Sequence, residues 1–219
     1  MPFHRNIECC YLWEDRCHAK RSRNLQEFRQ LCRNDKIHTV PPGFIMRLRN
    51  EADVMKFIQE ATDIPVPDVF TTYSSEGCFR MRMETTPAVP MFYLPPDEQE
   101  IVKEEVEGVV KTLQGLRSNE MGGPTDDDGE DEEDYVFCHG ELTQSNIYVD
   151  PDTLKIRSIY SWGYAGFYPK CFEFPFWQKV FDAGPQRTYF FNDPEHECVQ
   201  EIMRFLSRRW TFLQSEIYT

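Results

Sequence analysis

Apolar residues recur at helical spacing along several stretches of this chain and alternate with polar ones along others. Val102, Val106, Val109, Leu113 and Leu116 form one stripe. The spacing predicts a long helix, opened by Pro95-Pro96 with Asp97 as cap and Glu100 three residues on, and stopped by Gly122-Gly123-Pro124. Its stripe serves core packing or a homodimer seam; packing is preferred, because strands need a helix to cover them. A second helix is expected over 51–61, with Val54, Met55, Ile58 and Ala61 on one face and Pro65 and Pro67 ending it. Shorter patterns at 25–32 and 195–213 predict two more helices. Strands are expected at 36–40 and 44–48 around Pro41-Pro42-Gly43, and at 69–73 and 78–83 around a turn at 74–77.

Residues 135–166 organise the rest. Val136 to Cys138 and Ile147 to Val149 are short apolar runs, and Pro151, Asp152 and Thr153 supply a turn before the alternating stretch 154–160. Two strands therefore hold a loop between them. That loop carries His139, Glu141 and Asn146, groups able to handle protons or oxygen-rich ligands.

His139-Gly140-Glu141-Leu142, then Asn146, then the run 161–169, SWGYAGFYP, resembles the aminoglycoside-phosphotransferase-like kinases, most of all their fungal branch. The similarity extends upstream through Asn50-Glu51-Ala52 and 63–67 and covers roughly residues 37 to 185. It implies an α+β, two-lobed, protein-kinase-like fold. The lobes would be residues 1–93, a reduced N-terminal lobe of strands and one helix, and 94–219, a mainly helical and shortened C-terminal lobe.

The resemblance also marks departures. Similar kinases carry an aspartate where Glu141 stands, and their next motif opens with a magnesium-binding aspartate where this chain has Ser161. Asn146 matches the second metal ligand. Serine is neutral, and an extra methylene moves the Glu141 oxygens by about 1 Å, a displacement that can cost on the order of a hundredfold in rate. No glycine precedes Gly43, although a glycine-rich loop usually covers the nucleotide phosphates. The lysine that would grip those phosphates is not evident: Lys36 lies to one side, and Arg47 or Arg49 is a substitute or plain surface charge. A lost kinase activity is expected, with no metal and no cofactor.

Candidate catalytic residues are Glu141, as general acid or base, and His139, as proton carrier or loop support. Candidate ligand-binding residues are Asn146, Ser161, Trp162, Tyr164, Phe167, Tyr168 and Glu173 around the loop, with Tyr93 in the segment that matches the interlobe linker. For each aromatic residue, packing is the competing role.

Composition changes the picture in three places. Eight of the nine residues at 126–134 are acidic, so a net charge of −13 reduces to −5 elsewhere, and the acidic loop 124–134 reads as a solvated segment. No basic patch interleaved with aromatics suggests nucleic acid, and no long apolar run suggests a membrane span. Eight cysteines without a secretory leader or paired C-x-x-C spacing read as reduced, cytoplasmic core residues. Three functions follow: a repurposed metal-free acid/base enzyme acting on a small molecule by cyclisation, isomerisation, elimination or condensation, in the setting of fungal secondary metabolism; a non-catalytic pseudokinase-like binding protein; or an atypical phosphotransferase. The first is preferred.

Overall fold

The computed structural model describes residues 9–14, 17–33, 44–122 and 135–178. The strand expected at 36–40, the helix expected at 195–213 and the acidic run 126–134 lie outside them. Strands β1 (Cys9–Glu14) and β2 (Cys17–Ser22) pair antiparallel, and helix α1 (Leu25–Arg33) follows. Asn24 caps α1, its Oδ1 accepting from the Glu27 N–H while the Glu27 carboxylate accepts from the Asn24 N–H, a reciprocal capping box.

Helix α2 (Phe44–Ala61) starts earlier than the pattern predicts. Residues 44–48 are therefore its first turns and not a strand. Its buried face is Leu48, Ala52, Met55 and Ile58, spaced by three and four, with Glu51 and Val54 beside it; Ala61 is exposed. Strands β3 (Val69–Ser75) and β4 (Cys78–Glu84) form the expected hairpin, turned by Glu76 and Gly77 at φ 54° and 70°. The four strands make one antiparallel sheet in the order β1-β2-β4-β3, with α2 packed on it.

A short connection then runs through β5 (Val89–Pro90) into α3 (Pro96–Leu113). Val102, Val106, Val109 and Leu113 are buried as the stripe predicts. Asp97 is not the cap: Pro95 is, without a side-chain bond, and Asp97 and Glu98 lie in the first turn, where negative charge suits the helix dipole. The helix also stops before Gly122. Arg117 and Ser118 form β6 and pair with β7 (Tyr135–Cys138), which draws the chain out of the helix after Gly115. Strands β8 (Ile147–Val149) and β9 (Ile156–Ile159) complete one small sheet, β5-β8-β9, while β10 (Gly166–Tyr168) completes another, β10-β7-β6.

One apolar cluster joins these parts. It runs from Leu48, Met55 and Ile58 of α2 through Met81 and Met83 of β4 to Val102, Val106 and Leu113 of α3, Phe137, Ile147, Ile159 and Trp162. The loop between β7 and β8 is thus fixed at both ends by strands, β7 buried throughout and β8 buried at Ile147 and Val149. No helix among the described residues is long and apolar enough to cross a membrane.

Candidate functional site

The loop between β7 and β8 is held by its own side chains. The Glu141 N–H donates to His139 Nδ1 at 3.1 Å, so that nitrogen is unprotonated, and Nε2 donates to the Tyr160 carbonyl at 3.0 Å. His139 is fully buried against Trp162, ring centroids 4.4 Å apart. Asn146 reaches back to the same loop: its Nδ2 donates to the Glu141 carbonyl at 2.8 Å. Glu141 itself is half-buried and its peptide is held from both sides.

Glu173 braces the loop from behind. Its buried carboxylate accepts from the N–H of His139 and, at 3.5 Å, from the N–H of Gly140. It lies under the backbone. Burial first, and the Glu173 charge second, push the neighbouring Cys138 thiol well above its usual range, which makes that cysteine an inert core residue.

Ser161 follows β9 with φ 68° and ψ 46°, a left-handed conformation that costs a non-glycine residue on the order of 1–3 kcal/mol. The hydroxyl that this turn presents is neutral. Kinase-like folds use magnesium, which takes oxygen ligands from one or two carboxylates together with phosphate. Here Ser161 offers a hydroxyl, Asn146 an amide, and Glu141 the one carboxylate of the three. Among the described residues no group of three or more His, Cys, Asp or Glu side chains is placed to hold a metal.

Lys20 is a buried lysine that faces α2. Its ammonium, on β2, meets the Glu51 carboxylate of α2 at 2.5 Å, with both side chains almost wholly buried. Burial pulls the Lys20 pKa down, but the charge of Glu51, then those of Tyr11 and Cys9, and the hydrogen bond to Glu51 outweigh it and hold the ammonium above its usual range. Neither Arg47 nor Arg49 substitutes: Arg47 lies over the Tyr164 ring at 5.5 Å, and Arg49 over Phe79 with a hydrogen bond to Ser74. Asn50, beside Glu51, donates to the carbonyls of Gly163 and Ala165, so α2 is docked on the segment that follows Ser161.

The other candidates separate. Trp162 is fully buried with its indole N–H on the Ile159 carbonyl, and Phe167 packs edge-on against Phe137 and Phe57; both are core residues. Tyr168 stacks on Phe172 at 5.5 Å. Tyr93 stands 62 % exposed on Phe92. Two further rings meet where β2 of the four-stranded sheet comes up to the end of β9. Tyr148 and Tyr160 lie 4.7 Å apart, and His18 of β2 touches Tyr160 at 5.8 Å.

No protein-family model matches the chain, and no curated protein matches it. Solved structures do. Aminoglycoside phosphotransferase APH(3'')-Id from Streptomyces rimosus aligns at TM-score 0.53 and 17 % identity over 74 % of this chain and 73 % of that one. A type VIII aminoglycoside-3'-phosphotransferase gives 0.52 and 17 % over 93 % and 87 %. The chain has the aminoglycoside-phosphotransferase, kinase-like fold. A third such enzyme, APH(4)-Ia in ternary complex with ADP and hygromycin B, aligns at 0.51 and 12 % identity over 92 % and 77 %. Lys20 of β2 and Glu51 of α2 form an ion pair between sheet and helix that the upstream sequence did not reveal.

Proposed function

We propose that this chain binds a small organic molecule in a kinase-like cleft without transferring phosphate to it, and that Glu141 exchanges a proton with that molecule. The carrying observation is Ser161. Its backbone makes a left-handed turn, and its side chain brings no charge to the place where the family resemblance puts a metal-binding carboxylate. Phosphoryl transfer rests on positioning and on neutralising the phosphates, and losing that neutralisation raises the barrier by several kcal/mol. Cyclisation, isomerisation, elimination and condensation need a proton moved and no such complex.

The hydrogen bonding around His139 supports Glu141 as the single proton carrier. Both imidazole nitrogens are engaged with backbone, so that ring supports the loop. The solved neighbour crystallised with ADP and hygromycin B supports a cleft of small-molecule size. Resemblance to the fungal branch points the reaction toward secondary metabolism.

The Lys20–Glu51 pair favours a second reading, a retained phosphotransferase. Thermal unfolding in ATP, with and without magnesium, separates the two. A ligand that binds only the folded state stabilises it by mass action, so a magnesium-dependent rise in Tm would sink the proposal. The expected result is no such rise in the natural chain and a gain of one in the double variant Glu141→Asp, Ser161→Asp. Glu141→Gln, assayed against extracts for turnover and for retention of small molecules, then distinguishes an enzyme from a binding protein: turnover is lost and retention stays.

A further inference from the structure

Strand β3 carries no charge along its whole length and lies at the edge of its sheet. It is last in the order β1-β2-β4-β3, and among the described residues it pairs with β4 alone. None of its seven residues is buried, and Phe70 and Tyr73 stand 54 % and 51 % exposed. An edge presents a row of N–H and C=O groups to any extended chain that arrives, and soluble proteins usually blunt it with lysine, proline or another charge. The segment VFTTYSS has none of these, and its Val, Phe, Thr and Tyr residues favour strands. One blunting device is present, the register shift between Val69 and Thr71, and it leaves Thr71 to Ser75 regular. The opposite edge differs: β1 begins on buried Cys9 and ends on Glu14.

Charge sits at the two ends of β3 and is opposite in sign. Asp68 precedes the strand, and its carbonyl accepts from the N–H of Glu84 at 2.9 Å. Two exposed carboxylates therefore mark this end, against one arginine, Arg82 of β4, which pairs across from Thr71. At the far end, exposed Arg49 of α2 donates to Ser74 Oγ at 3.3 Å, its guanidinium over the Phe79 ring. Arg80 beside it is matched by Glu76 at 3.3 Å, so Arg49 is the charge in excess there. The strand starts acidic and finishes basic. A second copy running antiparallel sets each acidic start beside the other's basic finish, whereas a parallel one sets like ends together.

We propose that β3 is the surface through which two copies of this chain associate: they pair antiparallel, β3 on β3, about a two-fold near Thr72, and form one continuous sheet. Tyr73 of each copy then packs beside Thr71 of the other. The backbone ladder supplies affinity, as in other cases of strand addition, and the charged ends supply direction. A two-fold contact uses up this edge in both copies and closes on itself, so assembly through β3 stops at the dimer.

Sedimentation velocity across a dilution series tests it. Physiological ionic strength, with a Debye length of about 8 Å, screens the repulsion between two chains of net charge −13. The natural chain is expected to pass from monomer to dimer as concentration rises. Tyr73→Lys places a lysine on the edge of each copy and is expected to leave monomer throughout. Arg49→Asp and Asp68→Arg should each weaken the dimer on the order of tenfold, because either change acts twice across the two-fold. An equal mixture of those two variants has complementary ends again and should regain the natural affinity, which also shows that both are folded. Ile101→Lys, on the exposed side of α3, serves as control and should leave the dimer unchanged. A natural chain monomeric at every concentration would leave the edge to an extended segment of another protein and overturn the inference. So would a dimer that survives Tyr73→Lys, a dimer that Ile101→Lys disrupts equally, or a mixture no tighter than its two components.

Discussion

Lys20 and Glu51 are each more than nine-tenths buried, so their contact is decided by desolvation as much as by attraction. Removing one partner leaves the other as an uncompensated buried charge, which typically costs about 3–5 kcal/mol. Glu51→Gln is accordingly expected to lower the unfolding free energy by that amount. Lys20→Met in the same background should recover part of it, because the stranded ammonium is gone. Urea unfolding of the two single variants and the double variant measures the coupling, and a double variant no better than Glu51→Gln would show that the pair does not carry the loss. The same pair explains why the lysine escaped sequence reading. In β2 the buried alternate positions are His18, Lys20 and Ser22, so the polar side of the strand faces inward, opposite to the pattern that marks a half-buried strand. Such inversions are expected at functional places, where local pattern and global fold part company.

At the scale of elements, legibility followed how far each segment obeys one period. β7, β8 and the β3–β4 hairpin were readable because short apolar runs sit between turn residues, and α3 because its stripe holds without a break. The first turns of α2 were not. Phe44, Ile45, Met46 and Leu48 crowd apolar residues at adjacent and alternate positions, and the helical face shows only when Leu48 is joined to Ala52, Met55 and Ile58. In the candidate site the loop residues were legible from their motif, but their roles were not. Glu173 lies over thirty positions from His139 in the chain, and its carboxylate finds the loop's N–H groups only through the path of β10. The loop depends on Gly140, whose φ of +73° places an added Cβ 2.9 Å from the Tyr164 carbonyl. Gly140→Ala is expected to cost about 1–3 kcal/mol from backbone strain, and somewhat more if the 161–165 segment cannot shift. Amide hydrogen exchange locates the damage: faster exchange at Glu141 and Asn146 with β3 and β4 unchanged is the expected result, and uniform acceleration would refute a local effect.

For the whole molecule, acid should lower the stability of the fold through His18. This ring is buried between β2 and the aromatic cluster, with Lys20 on its own strand and Tyr11 and Tyr160 facing it, and Glu51 approaching from α2 toward Lys20. Desolvation first, and the Lys20 charge second, pull its pKa from 6.5 down to about 4. Between those values the unfolded chain binds a proton that the folded chain refuses. Stability is therefore unaffected by this group above the unfolded pKa and falls as pH drops from 6.5 toward 4. The full loss is about 3 kcal/mol at 1.36 kcal/mol per pKa unit. Glu27, drawn to about 2 by its hydrogen bonds to Arg21, adds a separate loss at lower pH, from 4.5 downward. The two windows overlap little, so the His18 contribution is isolated by difference. Unfolding free energies of the natural chain and of His18→Gln should diverge as pH falls through 6.5, with the natural chain losing more, and should run parallel below about 4. Parallel curves through that whole interval would mean that His18 takes its proton readily in the folded protein, and that the cleft beside Lys20 is wetter than its packing indicates.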